Sequence, residues 1–230
     1  MSQRTAQHLL IDADDTLWEN NIYFEQAFHS FCEFLDHSTL TRDQVRAALD
    51  EIELVNIQLH GYGAANFGRN MVECYHRLVE RNVIPSDAES ITGFAREILQ
   101  HPLEIIDQVP GTLAYLAGRH DLLLVTKGNE CEQRNKVEAS GLSIYFREVV
   151  VLREKDAGAY TRLLSQYGLD IVRTWMVGNS PKSDINPAVA AGLQAVYIPH
   201  PRTWHLEHEP VSAQGQVLQL ETFSALRQYF

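Results

Sequence analysis

The residues best placed to do chemistry stand near the start of the chain, where Asp12, Asp14 and Asp15 directly follow the short run His8-Leu-Leu-Ile11. An apolar run of that length reads as a buried strand, and the acidic cluster as the loop that ends it. In open parallel α/β sheets ligands bind just beyond the carboxyl ends of strands, so Asp12 and Asp14 lie where a substrate would sit. Two carboxylates at i and i+2 can face one side. One then serves as nucleophile while the other, in a different environment, exchanges protons with a leaving group. So crowded a negative site normally recruits a hard cation such as Mg²⁺. A calcium loop of the EF-hand type is excluded by its spacing, because Leu17 occupies the position that needs glycine and Tyr23 the one that needs glutamate. An acidic turn that only caps a helix is the plain alternative.

Asp12-Ala-Asp-Asp-Thr-Leu17 resembles the first motif of the haloacid dehalogenase superfamily of phosphohydrolases. The resemblance implies that Asp12 is the nucleophile and Asp14 the general acid/base; Asp15 stands where glycine is more usual. It also implies three further motifs in a set order. Thr126, which closes the apolar run Leu122 to Val125, resembles the second, whose hydroxyl binds the phosphoryl group. Lys127, Gly128 and Asn129 then supply a cation and a turn suited to close approach of backbone to an anion. Lys155 resembles the lysine of the third motif, which neutralises charge on nucleophile and phosphoryl oxygens. Asp156 stands where proline is frequent, and Lys127 is an alternative for the same role.

Met176-Val-Gly-Asn-Ser-Pro-Lys-Ser-Asp184-Ile resembles the fourth motif, whose acidic side chains hold Mg²⁺. Here Asn179 replaces the first aspartate and Asp184 stands at the second acidic position. The implied metal site is Asp12, Asp14, Asn179 and Asp184, with Asn179 and Asp184 both open as the direct ligand. An amide oxygen carries no full charge, so weaker Mg²⁺ binding is expected than at an all-carboxylate site. Three of the four lysines, Lys127, Lys155 and Lys182, fall in these motifs; Lys136 does not.

The elements that must position these residues read as an α/β fold. A Rossmann-like parallel sheet core over 1–18 and 101–230 is interrupted by an all-helical insert over 19–100, which the resemblance makes a cap. Phe24, Ala27, Phe28, Phe31 and Leu35 recur at helical spacing, and Thr41-Arg-Asp-Gln44 is a capping box opening a helix with Val45, Leu49, Ile52, Val55 and Leu59. The stretch Gly61 to Gly68 reads as a loop and as the part of the cap that reaches substrate. A third helix carries Met71, Tyr75 and Leu78, and a fourth opens at a capping box Ser86-Asp-Ala-Glu89. Beyond Pro102, strands at Leu122–Val125, Phe146–Leu152, Trp175–Val177 and Ala195–Ile198, the last expected, alternate with helices at 111–116, 131–139 and 157–167. Such alternation implies a parallel sheet covered on both faces. The tail from Pro199 is not placed, although Arg202 or Trp204 there could line the site and His205 and His208 have metal-ligand spacing.

With 230 residues, 45% of them hydrophobic, the chain is long enough for a good core plus an accessory unit. A formal charge of -11 argues against nucleic acid or an acidic membrane as a standing partner and leaves room for a small phosphorylated metabolite. The opening residues carry no apolar stretch, and Cys32, Cys74 and Cys131 have neither disulfide nor zinc spacing, so a cytoplasmic protein with reduced thiols is expected. The expectation is therefore a Mg²⁺-dependent phosphohydrolase. Its rivals are a weakly catalytic phosphate-binding module, which Asn179 would suit, and a haloacid dehalogenase, which would not need Asp14.

Overall fold

The structure, a computed structural model, describes residues 6–211 and 217–230. The reading of the opening residues falls mainly on 1–5, outside that range. Strand β1 (His8–Ile11) sends Leu9 and Ile11 into one core and Leu10 into another, all fully buried. Successive side chains alternate across a strand, so an unbroken apolar run is stable only where both faces of the sheet are covered.

The chain divides into two compact units, one of Met1–Asn21 with Leu103–Phe230 and one of Ile22–Pro102. The second is all helix and is built from α1 (Asn21–Leu35), α2 (Arg42–His60), α3 (Ala64–Leu78) and α4 (Pro85–Ile98). It has its own core, in which Phe28 and Phe31 of α1 join Leu49 of α2, Met71 and Tyr75 of α3 and Ile91 of α4. Thr41 does form a capping box with Gln44. Three expectations need correction. Val55 and Leu59 are exposed, because the buried stripe of Val45, Leu49 and Ile52 continues in Asn56, which bonds to Asn70 and Glu73. Only Gly61 to Gly63 connect helices; Gly68 lies inside α3, where an added Cβ would come within 3.0 Å of Ala95 Cβ. Helix α4 opens before Ser86, at Pro85, where the missing N–H costs nothing, and Asp87 accepts the Ile84 N–H at 2.9 Å.

The first unit continues through α5 (Val109–Ala117), β2 (Asp121–Lys127), α6 (Glu130–Ser140), β3 (Glu148–Leu152), α7 (Ala157–Tyr167), β4 (Thr174–Gly178), α8 (Asn186–Ala190), β5 (Gln194–Tyr197) and β6 (Val217–Gln219). The strands form one parallel sheet in the order β3-β2-β1-β4-β5-β6. Leu113 of α5 and Val137 of α6 pack on the face holding Leu9, while Tyr160 of α7 and Ala188 of α8 pack on the face holding Leu10. β5 is not the last strand, because Val217–Gln219 of the unplaced tail pairs along it. The central strand is β1, and the loops after β1, β2, β3 and β4 leave the same edge. That is where parallel α/β sheets bind ligands.

Candidate active site

Asp12 leaves β1 with its backbone N–H bonded to Val177 O at 2.9 Å, so the sheet ladder itself fixes its position. Lys155, from the loop between β3 and α7, is buried and donates to Asp12 Oδ1 at 2.5 Å and to Asp184 Oδ1 at 2.7 Å. The other Asp184 oxygen accepts the Ser180 N–H at 2.9 Å. Gly178 is required here, since a Cβ on it would stand 2.2 Å from Asp184 Oδ2. Three residues separated by most of the chain thus meet at one ammonium group.

Two carboxylates against one lysine leave a buried negative charge without a partner. Burial, and then the Asp184 charge, push the Asp12 carboxyl up to about 7 despite Lys155. Lys155 itself is raised, because its two carboxylates outweigh its own burial. The Thr16 hydroxyl lies 3.0 Å from Asp12 Oδ2 and 3.3 Å from Asn179 Oδ1, so these two hard oxygens face one small space. Asn179 is turned that way by its Nδ2, which donates to Thr203 Oγ1 at 2.8 Å. Oxygen donors beside surplus negative charge suit Mg²⁺. Asp184 has both oxygens hydrogen-bonded, Oδ1 to Lys155 and Oδ2 to the Ser180 N–H.

Asp14 is served differently. Lys136 of α6 donates to its two oxygens at 2.6 and 2.7 Å, Trp18 Nε1 to Oδ1 at 2.7 Å and Gln133 Nε2 to Oδ2 at 2.8 Å. Burial alone would raise its pKa, but Lys136 reverses the sign and holds the carboxyl below its ordinary value. Its side-chain oxygens are taken up by Lys136, Trp18 and Gln133. Lys136, outside every motif, was missed; its i, i+3 spacing with Gln133 on α6 was the available signal.

Asp15 explains its own departure from glycine. Its φ is 58°, the left-handed region that glycine enters freely and aspartate tolerates by bonding locally. Its Oδ1 accepts the Asn20 and Asn21 N–H groups at 2.8 and 3.1 Å, at the start of α1. Among the described residues, Asp15, Glu19 and His200 are the group of three His, Cys, Asp or Glu whose ligand atoms converge, within 4.8 Å. Arg202 already pairs with Glu19, at 3.1 Å.

Thr126 is buried at the end of β2 and donates to Gln133 Oε1 at 3.3 Å. Gly128 has φ 143°, and a Cβ there would meet Gln133 Nε2 at 3.0 Å, so glycine leaves Gln133 its path to Asp14. Two expected phosphate contacts are otherwise engaged. Lys127 donates to Glu207 Oε1 at 2.7 Å and to Ser183 Oγ at 2.7 Å, because a buried carboxylate beside it is a stronger partner than open solvent. Asn129 caps α6 by accepting the Glu132 N–H at 3.1 Å. Lys182 is exposed and donates to Leu206 O. In the tail, Trp204 stacks edge-on to His205, and His208 Nε2 contacts Thr203 O; the residue that turns inward is Glu207.

The family pattern of the haloacid dehalogenase-like hydrolases matches residues 6–192. The chain belongs to that family. This hydrolase is 30% identical to a haloacid dehalogenase-like family hydrolase of Xanthomonas campestris, whose crystal structure superposes with a TM-score of 0.82 over 98% of this chain and 95% of that one. It is 26% identical over 187 residues to a phosphoserine phosphatase of Thermus thermophilus, covering 77% of this chain and 70% of the relative. The hydrolase also shares its fold with the L-2-haloacid dehalogenase of Xanthobacter autotrophicus, at 12% identity and a TM-score of 0.67 over 97% of this chain and 98% of that one.

Proposed function

We propose that this hydrolase cleaves a small phosphomonoester through an aspartyl-phosphate on Asp12. The observation that carries the reading is the buried bridge of Lys155 between Asp12 and Asp184, one positive charge short of balance at the carboxyl edge of the sheet. An Asp12 oxygen forms the bond to phosphorus as the ester oxygen leaves. Lys155 offsets charge on nucleophile and phosphoryl oxygens, and the Thr126 hydroxyl with the backbone N–H groups after it receives those oxygens. Asp14 gives the departing ester oxygen its proton and then, as the carboxylate, takes a proton from the water that splits the Asp12–phosphorus bond, which releases phosphate and returns both Asp12 and the Asp14 acid. Asp12 and Asn179 would hold Mg²⁺, with Asp184 fixing Lys155 beside them. The cation supplies the missing positive charge and polarises the phosphoryl group. The phosphoserine phosphatase of Thermus thermophilus supports a small phosphorylated substrate.

One observation favours a second reading. An Asp14 clamped as an anion is poorly prepared to protonate an alkoxide, and a 2-haloacid dehalogenase needs no such proton because halide leaves unaided. A panel of phosphomonoesters and 2-haloacids, assayed for phosphate and halide release with Mg²⁺ and with EDTA, separates the two. Phosphate release that EDTA abolishes is expected. Halide release insensitive to EDTA would establish the dehalogenase, and phosphate binding without turnover a binding module.

A further inference from the structure

Glu207 lies outside every motif, yet it is buried, at 7% exposure, on a short 3₁₀ turn His205–Glu207. One of its oxygens, Oε2, accepts from Ser180 Oγ at 2.5 Å and from Ser183 Oγ. Ser180 directly follows Asn179 and Ser183 directly precedes Asp184. The other oxygen accepts from Lys127 Nζ at 2.7 Å, at the end of the strand that carries Thr126. The same segment reaches the loop a second time, through Thr203 and Asn179 Nδ2. A single carboxylate therefore ties the loop ends of β2 and β4 together from behind.

Those loop ends carry Thr126 on one side and Asn179 and Asp184 on the other. The loop between Asn179 and Asp184 runs through one π-helical turn, Pro181–Ile185, a rare geometry found frequently at functional sites. Within it Ser180 Oγ also accepts the Ser183 N–H at 2.9 Å, so the hydroxyl that Glu207 holds is itself a brace of the turn. Glu207 faces Lys127, which also pairs with Glu154 at 3.2 Å. Its contribution is reach and direction.

We infer that Glu207 is a positioning residue that sets the spacing of Asn179 against Asp12 and Asp184 and thereby the affinity of the site for its divalent cation. This rests on the reading of a Mg²⁺ site given above. It differs from a plain charge effect in one respect. Glu207→Asp keeps the charge and loses one methylene of reach, whereas Glu207→Gln keeps the reach and an acceptor oxygen for the two serine hydroxyls but loses the charge and the acceptor for Lys127.

The test is Mg²⁺ binding by titration calorimetry on EDTA-stripped full-length protein, with thermal melts in EDTA to show that each variant folds. Glu207→Asp is expected to weaken Mg²⁺ by about tenfold, the loss typical when a group orienting a metal ligand is displaced. Glu207→Gln should lose clearly less. The reverse order, or two variants that bind as the wild type does, overturns the inference. Should Glu207→Asp not fold, Ser183→Ala takes its place, since it removes one donor to Glu207 and leaves every carboxylate; unchanged binding there also overturns it. A wild-type chain that takes up no Mg²⁺ is a separate failure, of the metal reading itself, and the inference falls with it.

Discussion

Two buried aspartates, one in each unit, show how the same side chain serves two ends. Asp87 of the helical unit is bonded on all sides: Arg81 donates to both oxygens at 2.9 and 3.0 Å, Tyr75 donates its hydroxyl at 2.7 Å and Ile84 its N–H at 2.9 Å. Arg81 first, and then these other donors, bring the Asp87 carboxyl down to about 2. Asp12 has a share of one lysine and one threonine hydroxyl, and burial beside Asp184 takes it up to about 7. A carboxylate with every acceptor filled is part of the architecture. One left short of positive charge is prepared to take up a cation or a reacting group, and strongly perturbed groups cluster at functional sites for that reason.

The comparison breaks most visibly at Asp12→Asn. Loss of the nucleophile should lower turnover by on the order of 10⁴ or more. The fold should gain, because Lys155 would then face Asp184 one to one. A carboxyl whose folded pKa is raised contributes stability below its unfolded value near 4, and that contribution is lost as the pH rises through about 7. The thermal midpoint of Asp12→Asn should accordingly exceed that of the wild type at pH 8 and approach it at pH 4. A lower midpoint at pH 8 would mean that Asp12 is as well served as Asp87.

Asp87→Asn is expected to act in the opposite sense and more modestly. Its stabilising contribution is complete above its unfolded value and is lost as the pH falls through about 2. At pH 7 the melt should drop by a few degrees, with kcat/KM within about twofold of wild type, as for a residue that shares no hydrogen-bond partner with Asp12. A collapse of activity without loss of stability would give Asp87 a role in the reaction.

These differences mark what could be read before the structure. β1 and the start of β2 were legible because strands covered on both faces leave unbroken apolar runs, and the order of the four loops followed from the parallel sheet. Lys155 was legible through its motif. Glu207 and Lys136 were not, since each meets its partner across 80 and 122 residues and neither position differs locally from an ordinary solvated charge. β6 was hidden for a related reason: three residues at a sheet edge carry too little pattern to announce a strand. The start of α4 was misjudged because proline fixes a first helical turn more firmly than a serine cap.

Asp14 lies two residues from Asp12 and is treated like Asp87, which makes it the sharpest and gentlest test of the contrast. Its four hydrogen bonds come from one charged group and two neutral ones, Lys136 contacting both oxygens and Trp18 and Gln133 one each. If the charge decides, Lys136→Met should raise the Asp14 pKa, because burial then acts against neutral donors alone. A carboxyl-carbon NMR titration reads this directly: Asp14 should titrate below the usual aspartate value in the wild type and at higher pH in the variant. The stability that Asp14 lends in its anionic form would then be lost at a less acidic pH than before. An unmoved titration would show that two neutral N–H groups suffice to hold a carboxylate, and that the difference between Asp12 and Asp14 lies in hydrogen bonds rather than in the placing of lysines.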